Sequence, residues 1–337
     1  MFKEALDKVV EKKNLTVKEM MMSFEEIMEG KVEECLVASF LTALKLKGET
    51  IDEITGGAMA MINKAEKLQL LETNTLDTCG TGGDKRGTYN ISTASAFICA
   101  AAGIPVVKHG NRSVSSKSGS ADVLEELGVN IMLKPEEVKT SIEETSIGFL
   151  FAPTFHKAMK YAGPVRKKLG FKTVFNILGP LTNPARARYQ VLGVFHEDLT
   201  EVMAEVLGKL GVQRAMVVHG KDGLDEISIT CDTKVTELKD GKIKSYYIRP
   251  EDFGIERSSL DNIKGGDSKV NAEIIRNVLR GKKGAKRDVL LLNSGAGLYV
   301  VGKVDSVKAG VQLASEIIDS GMAYEKLLEY ASYTKEF

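Results

Sequence analysis

From residue 75 onward the chain alternates short apolar runs with helical patterns, and few architectures can accommodate that alternation. The runs TLDTCG, IPVVKH, GFLFA, YQVLGVF, RAMVVHG and DVLLLN are short, rich in β-branched and aliphatic residues and bounded by turn residues, so they read as strands. Between several of them lie helical patterns: NISTASAFICAAAG, PEEVKTSIEE, LTEVMAEVLGKLG and NAEIIRNVLRG. Strands that alternate with helices in this way predict a mostly parallel central sheet flanked by helices on both faces. Residues 1–71 differ in texture. Their apolar residues recur at helical spacing, as in Phe2, Leu6, Val9 and Val10 and then Met20, Phe24, Ile27 and Met28, with no strand signal. The expectation is an α/β fold class: a small all-helical N-terminal domain plus a large α/β domain.

Two segments interrupt the alternation. VTELKDGKIKSYYI carries Asp240-Gly241 between two alternating runs, which predicts a β-hairpin. The stretch HKAMKYAGPVRKKLGFKTVFNILGPLTNPARA is helical, proline-broken and longer than a crossover needs. It suits a return to the N-terminal helices. The division expected is a helical domain of residues 1–71 joined by about 164–184, and a catalytic α/β domain of 72–163 and 185–337. At 337 residues the chain is long enough for one large domain or two unequal ones.

Lys plus Arg equals Asp plus Glu at 46 each, so no global field favours nucleic acid or an anionic membrane, and any anion site must be local. Cys35, Cys79, Cys99 and Cys231 are scattered with no CxxC pair, which argues against zinc and against a disulfide framework. The N-terminus shows no apolar signal region, and the longest apolar run, 96–107, is broken by Gly103 and Pro105. These features point to the cytoplasm. The exposed-looking Met20 to Met22 cluster suits a dimer surface.

Four constellations carry chemistry. GTGGD, residues 80–84, leads into GTYNIST, residues 87–93. Glycines let backbone N–H groups approach an anion, and a helix start adds free amides. Thr88, Asn90, Ser92 and Thr93 offer groups for phosphate oxygens or for capping. The motif is neither GxGxxG nor GxxxxGK[ST], so standard dinucleotide and nucleoside-triphosphate readings lack support. The second, KHGNRSVSSKSGSADVLEELG, holds Lys108, His109, Arg112 and Lys117 with no carboxylate before Asp122. Lys108 and Arg112 can neutralise phosphate, and the serines add hydroxyl donors. Taken alone the run suits a surface loop as well as a site, and Ser120 stands where a helix N-cap would be. Its place after a candidate strand and before a helix is where open α/β sheets bind ligands.

The third constellation is GLDEISI, with adjacent Asp225 and Glu226. Neighbouring carboxylates suit Mg²⁺ held partly by substrate phosphates, although by itself the pair reads more readily as a solvated acidic loop. The fourth is Arg166, whose guanidinium could take a carboxylate bidentately; Lys167 and Lys168 beside it favour a solvated helix face instead. His156 reads as a packed histidine, and His196 and His219 lie at strand ends without an obvious partner.

Taken together, GTGGD, NIST, KHGNRSVSSKSGSADVLEELG, FLFAPTFHKAMKYAGPVRKKLG, FNILGPLTNPA and GLDEIS closely resemble the anthranilate phosphoribosyltransferase family of tryptophan biosynthesis. The resemblance runs in order from about residue 77 to residue 227, with flanks of the expected kind. GTGGD is the less specific motif, since pyrimidine nucleoside phosphorylases share a similar loop and fold. The resemblance implies attack of the anthranilate amine on C1 of 5-phosphoribosyl 1-diphosphate with loss of diphosphate. It assigns donor binding to Gly80, Gly83, Asp84, Thr88, Asn90, Ile91, Ser92 and Thr93. The donor set continues through Lys108, His109, Gly110, Asn111, Arg112, Ser113, Val114, Ser115 and Ser116 to Ser120. Gly80, Asn111 and Arg166 would contact anthranilate. Ser92, Asp225 and Glu226 would hold Mg²⁺, two ions per subunit. No general acid or base is implied, only positioning by Lys108, His109 and Arg166, because a neutral aromatic amine can attack an oxocarbenium-like carbon directly. The family also implies a homodimer through the helical domain, and small-molecule substrates with neither nucleic acid nor membrane as partner.

Departures from the family pattern are small. Lys85 and Arg86 stand in the glycine loop where small residues are usual, and Lys157 replaces a common proline after His156. Cys79 before the glycines departs from the HSTGG-like sequence expected of a nucleoside phosphorylase. A non-catalytic nucleic-acid-binding relative would need a basic excess, which the balanced charge does not supply; GKKGAKR, residues 281–287, reads as a solvated turn.

Overall fold

The computed structural model describes residues 1–113 and 117–337. Four helices open the chain: α1 (Phe2–Val10), α2 (Val17–Met28), α3 (Glu34–Lys47) and α4 (Ile51–Lys64). Capping boxes start two of them. Thr16 and Thr50 accept from the backbone N–H of Glu19 and Glu53, whose carboxylates return to the threonine backbone N–H. The helices bury Phe2, Met20, Phe24, Phe40, Leu41 and Leu44 against one another. Met20 is fully buried, so the exposed methionine cluster read from the sequence does not exist as such. Helical spacing places Met20 on the inner face with Phe24 and Ile27.

The sheet has seven strands: β1 (Leu76–Gly80), β2 (Val106–Gly110), β3 (Ile147–Phe151), β4 (Tyr189–Gly193), β5 (Arg214–Gly220), β6 (Thr233–Lys239) and β7 (Lys242–Ile248). Their order is β3-β2-β1-β4-β5-β6-β7. The first five pair in parallel and the last two antiparallel. The hairpin turn is Asp240-Gly241, both with positive φ, at 51° and 70°. A two-residue turn of that kind matches the twist of the strands it joins. β1 has β2 on one side and β4 on the other. This is a topological switch point, where a crevice opens outside the strand carboxyl ends.

Helices cover both faces: α5 (Ile91–Ala101), α6 (Ser120–Glu126), α7 (Pro135–Thr145), α8 (Ala152–Phe155), α9 (Met159–Leu169), α10 (Phe175–Leu178), α11 (Leu199–Lys209), α12 (Ser268–Leu279), α13 (Ala285–Val300), α14 (Val307–Asp319) and α15 (Met322–Tyr333). The pleat separates the two cores. Val191, Met216 and Val218 face α5 and the C-terminal helices, whereas Leu192, Ala215 and Val217 face α11 and the N-terminal bundle. Ala162, Val165, Val174, Phe175 and Leu178, from the long interrupting stretch, pack into the bundle-side core. Among the described residues no helix is long and apolar enough to cross a membrane.

Three sequence expectations fail locally. DVLLLN is not a strand; it lies inside α13, where every residue from Val289 to Leu298 is buried. A helix buried all round shows no periodicity, so its apolar run looks like that of an inner strand. Ser120 is the first helical residue of α6 rather than its cap, which is Gly119. Pro164 does not break its helix; α9 continues through it to Leu169.

Candidate active site

β1 delivers Gly80 to the switch point and the chain then turns through Gly82 and Gly83, whose φ values of 64° and 73° suit glycine. The Gly82 N–H donates to Asp225 Oδ2 at 2.7 Å. The contact is close enough to exclude side chains: a Cβ on Gly80 would lie 2.6 Å from Asp225 Oδ2, and one on Gly193, its partner across β4, 1.5 Å from the Asp225 carbonyl oxygen. Two strand-end glycines thus form the floor on which the acidic pair rests.

Burial, followed by the nearby Asp84, pushes the Asp225 carboxyl up to about 7. Burial, followed by Asp225, pushes Glu226 well above the usual carboxylate range. Glu226 Oε1 accepts the Ser92 N–H at 3.2 Å, in the first turn of α5. Ser92 Oγ in turn accepts from Lys108 Nζ at 3.3 Å, and the same ammonium donates to the Thr78 carbonyl at 2.5 Å. Lys108 is 3% exposed, and burial lowers its pKa while Asp77 opposes the shift. The glycine loop, the start of α5, the end of β2 and the acidic pair therefore meet through direct bonds.

Other predicted residues serve the frame. The Asn90 side chain donates to the Ser118 carbonyl at 3.1 Å and accepts from Asn271 at 3.0 Å. Ile91 and Thr93 are buried at 1% exposure. Thr88 is partly exposed and bridges to Lys264. Asp84 accepts from the Arg86 N–H at 3.1 Å, and the neighbouring Lys85 takes a left-handed φ of 59°.

In the segment 108–120, Arg112 is engaged within the protein. Its guanidinium is paired with Asp122 and Glu125, with Nη2 to Glu125 Oε1 at 2.8 Å. A phosphate would have to compete with those carboxylates. Asp122 also accepts the N–H groups of Ser113 and Gly119 at 3.0 and 2.8 Å. The acid that ends the basic run in sequence is thus folded back into it. Asn111 is exposed; its side-chain oxygen accepts the Arg112 N–H, and its carbonyl accepts the Ser120 hydroxyl at 3.3 Å. Gly110 closes β2 beneath Ser120. Val114, Ser115 and Ser116 lie outside the described residues.

Arg166 stands apart from these bonds. It is half-buried in α9 with its guanidinium 5.0 Å from the centroid of the Phe175 ring, and no carboxylate pairs with it among the described residues. Burial lowers its pKa. The solvated-helix reading does not hold for this side chain, while Lys167 and Lys168 beside it are exposed. The rings of His109 and His156 lie 5.1 Å apart, each with a buried Nε2 that has no hydrogen-bond partner among the described residues. Burial, and for His109 also the His156 ring, pushes His109 well below its ordinary value; burial pushes His156 down to about 4. Both are neutral at pH 7, which suits an apolar wall better than a proton carrier.

Sequence reasoning missed four residues. Asp77, with no exposure, accepts the His109 N–H at 3.3 Å and the Asn183 amide at 2.8 Å beneath Lys108. A lone acid inside the apolar run TLDTCG was the available signal. Lys172 places Nζ 3.4 Å from the Gly83 carbonyl and 3.6 Å from the Phe195 ring centroid, so it reaches the glycine loop from the interrupting stretch. Asp222 and Asn293 hold the loop that carries the acidic pair.

Anion-ready loops and an acidic pair at the carboxyl ends of a mostly parallel sheet, beside a helical bundle, define an enzyme class that grips a phosphorylated substrate at a switch point. The glycosyl transferase family's a/b domain matches residues 72–324, and its helical bundle domain matches residues 3–65. The anthranilate phosphoribosyltransferase of Alkaliphilus metalliredigens is 53% identical over 100% of this chain and 99% of its own length. That of Acetivibrio thermocellus is 54% identical over 100% and 98%. Among solved structures, the anthranilate phosphoribosyltransferase of Thermus thermophilus superimposes with a TM-score of 0.93 at 43% identity, covering 98% of this chain and 99% of that one. The Saccharomyces cerevisiae enzyme in complex with PRPP and Mg gives 0.90 at 27% identity over 100% and 98%. The chain belongs to the glycosyl transferase family and, within it, to the anthranilate phosphoribosyltransferases.

Proposed function

We propose that the crevice at the switch point transfers the phosphoribosyl group of 5-phosphoribosyl 1-diphosphate to the amine of anthranilate, releasing diphosphate and N-(5-phosphoribosyl)anthranilate for tryptophan biosynthesis. The observation that carries the reading is the continuous set of bonds from Gly82 to Asp225, Glu226 to Ser92 and Ser92 to Lys108, which joins two anion-ready loops to a carboxylate pair. The donor would lie against residues 80–93 and 108–120, with the loop amides facing its phosphates and the buried Lys108 ammonium behind Ser92. Asp225, Glu226 and the Ser92 hydroxyl form a hard-oxygen set that fits Mg²⁺, since burial and a neighbouring acid, Asp84 for Asp225 and Asp225 for Glu226, raise both half-buried carboxyls. Bound there as two ions, Mg²⁺ would neutralise charge on the diphosphate oxygens. Asn111 and Gly80 would border the acceptor, with the neutral rings of His109 and His156 as its wall and Arg166 facing its carboxylate. In the transfer the amine nitrogen forms a bond to C1 as the C1–O bond to diphosphate breaks, and the amine proton leaves to solvent or product.

The test is the loss of anthranilate fluorescence when phosphoribosyl diphosphate and Mg²⁺ are added, with thymidine plus phosphate run in parallel. Consumption of thymidine with no loss of fluorescence would overturn the reading. Arg166→Ala is expected to raise the anthranilate KM roughly ten- to a hundred-fold, the scale of one charge-assisted hydrogen bond, while the donor KM moves little. Steady-state kinetics with each substrate varied decide it, and an unchanged anthranilate KM removes Arg166 from the acceptor site.

The same proposal includes the two-domain division, with residues 1–71 joined by about 164–184; packing of Val165, Val174 and Phe175 into the bundle-side core supports it. It places the enzyme in the cytoplasm. It also includes a homodimer through the helical domain. Val10 and Leu46, 63% and 79% exposed, flank a groove between α1 and α3 floored by Ala38, Thr42 and Ala43. Leu46→Asp is expected to convert the dimer to monomer in sedimentation velocity; a wild type that sediments as a monomer ends this part of the proposal.

A further inference from the structure

We infer that Asp222 is the positioning residue of the acidic pair, tying the turn between β5 and β6 into the shape that presents Asp225 and Glu226. The inference rests on the proposed reading of that pair as Mg²⁺ ligands. Asp222 Oδ1 accepts the Leu224 N–H at 3.1 Å, immediately before the pair. Oδ2 accepts the Ser228 hydroxyl at 2.7 Å, immediately beyond it on the other side of Ile227, and also the Thr230 hydroxyl. One carboxylate therefore grips the chain on both flanks of residues 225 and 226.

The turn is anchored independently around this grip. The Asp222 N–H donates to Cys231 Sγ at 3.1 Å, the Gly220 N–H to the Leu224 carbonyl at 2.9 Å and the Gly223 N–H to the Gly220 carbonyl at 2.7 Å. From α13, the Asn293 side chain accepts the Ile227 N–H at 2.9 Å and donates to the Ile227 carbonyl at 3.0 Å. Held by Asp222 from one side and Asn293 from the other, the pair is pressed onto Gly80 and Gly193. Adjacent carboxylates repel, so a loose turn would let them separate toward solvent. Only a carboxylate accepts from all three donors. An asparagine in its place offers one oxygen and sets an NH₂ group against a hydroxyl or an N–H. Metal ligands lose affinity in this way when the groups that orient them are removed.

The experiment uses Mn²⁺ as the probe, titrated by electron paramagnetic resonance in the presence of inorganic diphosphate, with no turnover. Asp222→Asn is expected to weaken Mn²⁺ binding roughly ten- to a hundred-fold. The anthranilate KM stays where it was, and activity recovers as the metal concentration is raised. The double variant Ser228→Ala/Thr230→Val, which keeps the charge and removes two of its donors, is expected to act in the same direction; it carries the test should Asp222→Asn fail to fold. If the wild type does not bind Mn²⁺ with diphosphate, the ligand reading of the pair fails. If it does and both variants match it, or if the anthranilate KM rises in step, the positioning role fails.

Discussion

Asp225→Asn and Glu226→Gln are each expected to lower kcat/KM by on the order of 10²–10³-fold, the scale seen when one preorganised electrostatic group is removed from a reacting centre. Both changes keep the side-chain shape, so Gly82 still has an oxygen to meet at position 225 and Ser92 one at position 226. What disappears is charge that a dication needs and that the donor-free protein tolerates poorly. Burial and like charge raise both carboxyls. Stability follows with the opposite sign. A carboxyl whose folded pKa lies above its unfolded value binds its proton more tightly when folded, so near pH 7 its ionisation costs stability. Removing the charge is therefore expected to leave the melting temperature of the donor-free enzyme unchanged or higher. Kinetics over a range of Mg²⁺ concentrations, beside thermal melts without substrate, separate the two effects. Full activity with an unchanged Mg²⁺ dependence in both variants would remove the pair from the site, whereas a large drop in melting temperature would give it a structural role.

Gly193→Ala is expected to cost nearly as much although it changes no functional group. Its new methyl would stand 1.5 Å from the Asp225 carbonyl oxygen and 2.4 Å from the carbonyl carbon, distances that only displacement of the backbone can relieve. β4 cannot give way, because Gly193 is paired with Gly80 on one side and Val218 on the other. The turn carrying the pair must lift instead, against the hold of Asn293 and Asp222. Overpacking of this kind costs about 1–3 kcal/mol, and the pair leaves its floor. A fall in unfolding midpoint in urea with loss of at least roughly a hundred-fold in activity is the expected result. Wild-type kinetics in this variant would show that the position of Asp225 is not set by contact with the strand end.

The sequence carried more of the site than of its support. Glycine, hydroxyl and acid residues announce anion and metal chemistry by type alone, and the alternation of strand and helix puts them at strand ends. The support was hidden because it depends on pairing at a distance. Nothing in the spacing shows that Arg112 faces Asp122 and Glu125, or that Lys108 turns inward to the Thr78 carbonyl rather than outward. Asp222 reads as an ordinary turn residue until Ser228 and Thr230 fold back onto it. Within the fold, the DVLLLN run was misread for a reason local to α13. It is enclosed by α5 and α14 together with the sheet, so no polar face marks its period.

The strand order has a consequence for how the chain comes into being. β1 lies between β2, the next strand, and β4, which follows the helical stretch that packs into the bundle. The floor of the crevice, Gly80 beside Gly193, therefore joins residues far apart in sequence. The acidic pair is added later still, from beyond β5, and Asn293 later again. A ribosome that has released the chain only as far as β3 has yet to make Gly193, the acidic pair and Asn293. Catalytic competence belongs to the last stage of synthesis, where slow non-local pairing closes the molecule.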